Sequence, residues 1–243
     1  MKKQTWMVIA LILSHYLSYA QGGKNSTNIM VQNPPPKIKT EVNFNPQMIG
    51  GVLQPTNHKY FRKNDEFNGV LGSFYLYEKW SHASTIETET GKKYEINNLN
   101  FDLDEEKFLS KLSKDSVYVY QNLSRVVINN RIFKSIDDKF YQTLSDEGAV
   151  VLLKNFSGKL KKPVMNKMTN QIVKPAQYVK VEKYFVQKNG EDNLVKLSLK
   201  KSKILKALSD KKKEIKAFVS KNNLSYDNEI DVIKIVNYYN TLS

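Results

Sequence analysis

The chain has 243 residues, 40% of them hydrophobic and 11% aromatic, which is enough to bury a core without cross-links. It contains no cysteine, so a disulfide framework is excluded. Its 38 basic residues against 24 acidic ones give a formal charge of +14, a balance that favours acidic polymers as partners.

At the N-terminus Lys2 and Lys3 precede an apolar run from Trp6 to Leu13, and "LSYAQGG" then supplies small residues at Ser18 and Ala20. This order predicts a signal peptide over 1–20, cleaved after Ala20, and export to the periplasm or the exterior. The apolar run is far shorter than the roughly 20 residues that cross a bilayer, and His15 and Tyr16 interrupt it. No transmembrane segment is expected in the mature chain, and no cysteine follows the signal to carry a lipid. Loss of Lys2 and Lys3 lowers the formal charge to +12. Residues 21–68, with Pro34, Pro35, Pro36 and many Asn, Gln and Lys, read as a disordered leader, in which "PQMIGGVL" is apolar enough to pack.

From Gly69 the pattern becomes short alternating runs broken by turn residues, which predicts one domain over 69–243. The candidate strands are "GSFYLYEKW", "STIETET", "KKYEINNLNFDLD", "SVYVY", "RVVINNRIF", "AVVLLKNF", "QYVKVEKYFVQ" and "NLVKLSL". Asn129-Asn130 and Asn189-Gly190 mark tight turns. About eight antiparallel strands are expected, as a sandwich or an open barrel.

The period then changes to helical. Ile204, Leu205, Leu208, Ile215, Phe218 and Val219 share one face of a helix over 201–222, which Ser209-Asp210 would split in two if it capped a second helix. Asp227 is the expected N-cap of a last helix over 228–241 bearing Ile230, Ile233, Val236 and Tyr239. Sheet first and helices last make the fold class α+β.

Little of the sequence carries chemistry. "NLNFDLDEEKF" spaces Asn98, Asn100, Asp102 and Asp104 two residues apart, but an EF-hand needs Gly sixth and Glu twelfth, and neither register supplies them. The period of two instead predicts a half-buried strand, with Leu99, Phe101 and Leu103 inward and the four polar residues facing water. After export only His58 and His82 remain, and neighbouring Ser81 and His82 would point to opposite faces of a strand. No P-loop, GxSxG or dinucleotide fingerprint occurs, and no cofactor is implied. A hydrolase built on paired carboxylates leaves no local signature and stays open as the enzymatic alternative.

Between Glu147 and Glu182 lie 34 residues without an acid and with seven lysines: Lys154, Lys159, Lys161, Lys162, Lys167, Lys174 and Lys180. They form the candidate polyanion site, for nucleic acid, acidic polysaccharide or lipid head groups. The stretch has no arginine, which argues against bidentate phosphate recognition.

The ending "SYAQG", the block "GKKYEINNLNFDLDEEKF" with "DSVYVY" and "NNRIFKSI", and the closing "LKKSKILKAL" with "IVNYYNTL" are similar to a set of exported proteins of uncharacterised function from Bacteroidetes-type bacteria. That resemblance implies export and a non-enzymatic role. The expected function is a binding or structural module with a basic surface, its partner an acidic polymer or an envelope protein.

Overall fold

A computed structural model describes residues 58–60, 70–113, 116–189, 191 and 193–242, all within the compact unit Val42–Ser243. Residues 1–20, read as a signal peptide, and the segment 21–68 read as a leader, apart from 58–60, lie outside the described residues. His58–Tyr60, inside the segment read as leader, form strand β1. The strands that follow are β2 (Leu71–Gly72), β3 (Ser84–Thr88), β4 (Lys93–Ile96), β5 (Leu99–Asp102), β6 (Lys107–Lys111) and β7 (Ser116–Val119). Next come β8 (Leu123–Ile128), β9 (Arg131–Ile136), β10 (Lys139–Thr143), β11 (Val150–Lys161), β12 (Val164–Met165), β13 (Ile172–Lys174), β14 (Gln177–Lys188) and β15 (Leu194–Leu197). Helices α1 (Lys201–Ala207), α2 (Lys212–Lys221) and α3 (Glu229–Thr241) close the chain.

The α+β expectation holds, with fifteen strands among the described residues where about eight were expected. Nine strands form one open sheet in the order β15-β14-β11-β10-β9-β8-β3-β4, with β2 added in parallel on β14, so the sheet is mixed and does not close into a barrel. A second sheet has the order β1-β7-β6-β5, and β12 and β13 pair alone.

Turn chemistry fixes the register of the central meander. Asn129 and Asn130 take φ of 52° and 60° between β8 and β9, the left-handed pair that a two-residue hairpin needs. Asp137 and Asp138 repeat it between β9 and β10, with φ of 50° and 59°. The β14–β15 hairpin also forms, but its ladder begins at Gln187 and Leu194, leaving a longer loop than Asn189-Gly190 predicts.

Two hydrophobic cores result. Phe101, Phe108, Phe133, Phe140 and Phe156 meet between the two larger sheets, with Phe108 and Phe140 edge to face at 4.8 Å. The helices cover the other end of the large sheet, where Val150, Leu152, Val186 and Leu197 meet Ile204, Ile215, Ile235 and Val236.

Several local expectations are corrected. Beyond Gly72, which ends β2, "GSFYLYEKW" is no strand: it bends alongside β5, held by the bridge of Tyr75 with Asp102 and by the hydrogen bonds Leu76 amide to Phe101 carbonyl and Leu103 amide to Phe74 carbonyl, and Phe74, Tyr75 and Tyr77 are all buried. Leu99, Phe101 and Leu103 are buried as the alternation predicts, but Asn100 and Asp102 do not face water. Asn100 is fully enclosed and clamps the bent segment, accepting from the Tyr77 and Phe101 amides and donating to the Tyr77 carbonyl. Asp102 accepts the amides of Asp104 and Glu105 and so ends the strand in a turn. The backbone of Tyr77 satisfies Asn100 and the turn at Asp104–Glu105 satisfies Asp102, and no period-two pattern announces either.

The helices show similar shifts. Ser209–Lys211 form one 3₁₀ turn without a side-chain cap, so α1 and α2 are separate, as the Ser209-Asp210 alternative anticipated, but Asp210 instead accepts from the Tyr239 hydroxyl. Asn228, one residue past Asp227, caps α3 by accepting from the Asp231 amide. Ile230 is exposed, and the inward face runs through Val232, Ile235, Val236 and Tyr239.

Candidate functional site

β11 and β14 are the longest strands, and they pair over their whole length, from Val150 opposite Lys188 to Lys161 opposite Gln177. Only the first part of this ribbon lies against the cores. Every residue from Lys159 to Pro175 is exposed, so the far end stands out as an arm.

Proline shapes the arm. Pro163 and Pro175 lack the amide a ladder needs, and the β11–β14 pairing stops just before them. Pairing resumes between Val164 and Lys174 and between Met165 and Ile172, with a bulge. The tip is built by Asn166, whose side chain accepts from the Met168 and Thr169 amides, while Asn170 takes φ of 54° and donates its amide to the Asn166 carbonyl. These bonds hold Met168 outward, 93% exposed.

At its root the arm is fixed by Tyr178. The phenol packs 4.3 Å from the Phe74 ring and donates to Asp104 Oδ1 at 3.2 Å. Gly158 lies directly beneath it, and its amide donates to the Leu103 carbonyl.

The seven candidate lysines separate into two groups. Lys159, Lys161, Lys162, Lys167 and Lys174 are on the arm, and among the described residues none of the five meets a carboxylate. Lys154 and Lys180 lie nearer the root of the ribbon and both meet carboxylates, Lys154 buried and Lys180 exposed. Lys154 is only 7% exposed, and its ammonium is bound by Glu229 of α3 and lies 3.6 Å from Glu182 of β14. The Phe156 and Tyr184 rings flank it at 5.2 and 5.6 Å, and Tyr184 donates to Glu229 at 2.6 Å. Lys180 pairs with Glu182 at 3.0 Å. Lys154 therefore ties α3 to the sheet and is not available to an external anion.

The paired carboxylates of this cluster are the natural place to look for the hydrolase alternative. Burial pushes the Glu182 carboxyl up, but the hydrogen bond from Lys180 and the charges of Lys154 and Lys180 outweigh it, leaving Glu182 below the ordinary carboxylate value. Burial, and then the bond to Glu229, drive the Tyr184 phenol well above its usual range. A glycosidase-type pair needs one carboxyl held protonated near neutrality. Lysines on both sides do the opposite, so this arrangement is a structural ion pair.

His82 forms a bridge with Asn98, its ring 5.0 Å from that of Tyr77, while Trp80 packs edge-on against Tyr75 at 4.9 Å. Among the described residues no group of three or more His, Asp or Glu side chains is placed to hold a metal ion. No described helix is long and apolar enough to cross a membrane.

Composition alone could have flagged one further feature. Residues 200–221 contain nine lysines against Asp210 and Glu214, a denser excess than the acid-free stretch itself. Lys201, Lys206, Lys212 and Lys216 line a groove of about 690 Å³ between α1 and α2, with Ser202 and Ser209 beside them. Helical periodicity drew attention to the apolar face of this segment and hid its charged one. The chain matches no protein-family model, no curated protein and no solved structure.

Proposed function

We propose that the protein is an exported, non-enzymatic binding module of the cell envelope or exterior, and that its ligand is a polyanion held by the arm lysines. One observation carries this reading: Lys159, Lys161, Lys162, Lys167 and Lys174 stand on a projecting ribbon, exposed and without a carboxylate partner among the described residues. Solvated like charges held together on a stiff support raise the local concentration of anions, and the attraction falls with salt. Export rests on the charged start, the short apolar run and Ala20, together with the likeness to exported Bacteroidetes-type proteins.

The binding half is tested by heparin chromatography of the parent and of Lys159→Gln/Lys161→Gln/Lys162→Gln. The triple variant should elute at lower salt with an unchanged unfolding midpoint, because exposed lysines contribute little to folding. Elution at the parent's salt concentration would refute the assignment. N-terminal sequencing of the protein from the native cell tests export, which requires a start at or beside Gln21; an intact Met1 would contradict it.

A further inference from the structure

The arm carries more than charge. Leu160, Val164, Met165, Met168, Ile172 and Val173 are all large, apolar and about half exposed or more, and they account for six of the nine such side chains among the described residues. Isolated apolar residues on a surface need no explanation, but a run of this kind on one projecting element does. They alternate along the chain with Lys159, Lys161, Lys162, Lys167 and Lys174, so the outermost part of the protein is both oily and cationic.

These two properties select among polyanions. A single-stranded nucleic acid is gripped by aromatic rings that stack on its bases, and residues 159–177 contain no aromatic side chain. Phosphate recognition by a planar fork needs arginine, and the arm has none. An acidic polysaccharide would satisfy the lysines and leave the apolar side chains in water. A second copy of the arm would cover the apolar side chains but set five unpaired ammonium groups against five more. The interface of an anionic lipid bilayer answers both features, taking aliphatic groups into the acyl boundary and ammonium groups among the head groups. Long lysine stems allow this division, since they lie along apolar surface while their heads stay wet.

We infer that the arm is a membrane-surface anchor: its tip, led by Met168, enters the interface of an anionic bilayer while the surrounding lysines bind lipid phosphates. Asn166 and Asn170 satisfy the tip's own backbone groups in a closed turn, which lowers the cost of bringing them to a poorly hydrated interface. The inference rests on the polyanion reading above and narrows it to one ligand class. Each lysine near such a surface strengthens binding by about fivefold.

The absence of cysteine permits a local test in the full chain. Met168→Cys, and separately the exposed turn residue Glu89→Cys as a control, are labelled with an environment-sensitive dye and mixed with vesicles of phosphatidylglycerol and phosphatidylcholine. The inference requires a blue shift at position 168, none at position 89, and loss of most of the shift with pure phosphatidylcholine or on adding Lys159→Gln/Lys161→Gln/Lys162→Gln. An unshifted dye at 168 while those lysines still govern heparin elution would overturn the membrane assignment and leave the polyanion reading standing. Failure of both measurements would remove both. A shift at 168 that appears without lipid and grows with protein concentration would mean that a second copy covers the tip, and would also overturn the inference.

Discussion

Tyr178 fills the space above Gly158: a methyl group on Gly158 would lie 1.9 Å from the Tyr178 hydroxyl oxygen. The two residues sit on the paired strands where the ribbon leaves the domain, and Tyr178 reaches from there to Asp104. Glycine is required at this position by close approach, not by an unusual backbone angle. Gly158→Ala must push the phenol off Phe74 and Asp104, and overpacking of this kind costs about 1–3 kcal/mol. Urea unfolding should show that loss, and Tyr178→Phe should lose less, because it keeps the ring and gives up a single hydrogen bond of about 1 kcal/mol.

Lys154 supports a second prediction, about stability. Removing one member of a buried ion pair leaves its partner uncompensated at a cost of about 3–5 kcal/mol. Glu182 and Glu229 each keep roughly a third of their side-chain surface in water, which places Lys154→Ala near the lower end of that range. Lys154→Met combined with Glu229→Gln should unfold at higher urea than Lys154→Ala alone, since it restores volume and removes one stranded charge. Equal midpoints for Lys154→Ala and the parent would show that the cluster does not hold α3 to the sheet.

The same cluster fixes a pH dependence. Glu182 titrates below its ordinary value of about 4.5, so its contribution is fully present above that pH and disappears as the pH falls through the depressed value. The difference in unfolding free energy between the parent and Glu182→Gln should be constant from neutrality to about pH 5 and then shrink as acid is added. A difference that grows in acid would contradict the sign of the shift.

How much of this could be read from the chain depended on whether a feature is local. The Asn129-Asn130 hairpin, the change of period near residue 200 and the inward set Leu99, Phe101 and Leu103 follow from neighbouring residues, and all three are present. The burial of Asn100 depends on Tyr77, which only the folded chain brings near, and that of Asp102 on the turn it caps just beyond the strand, where alternation no longer applies. Lys154 looked like its six fellow lysines, since its acidic partners are 28 and 75 residues away in sequence, on β14 and α3. The five arm lysines were visible as an acid-free run, but the companion apolar side chains there look like ordinary strand core until the ribbon is seen to leave the domain.

The groove between α1 and α2 offers an internal comparison. Its four lysines are exposed like those of the arm, but among the described residues lining the groove Leu205 is the one large apolar side chain. Replacing Lys201, Lys206, Lys212 and Lys216 with glutamine should lower heparin elution salt modestly and leave the dye response at position 168 unchanged. A variant that abolishes heparin retention altogether would move the principal anion site from the arm to the helices.

The most direct test of the account is the salt dependence of binding to duplex DNA, used as a polyanion of known charge spacing. Each neutralised phosphate contributes roughly 0.9 to the slope of log affinity against log salt. If Lys159, Lys161 and Lys162 each neutralise one, the slope of the parent should exceed that of Lys159→Gln/Lys161→Gln/Lys162→Gln by about 2.7. Parallel lines for the two proteins would contradict the assignment of polyanion binding to the arm.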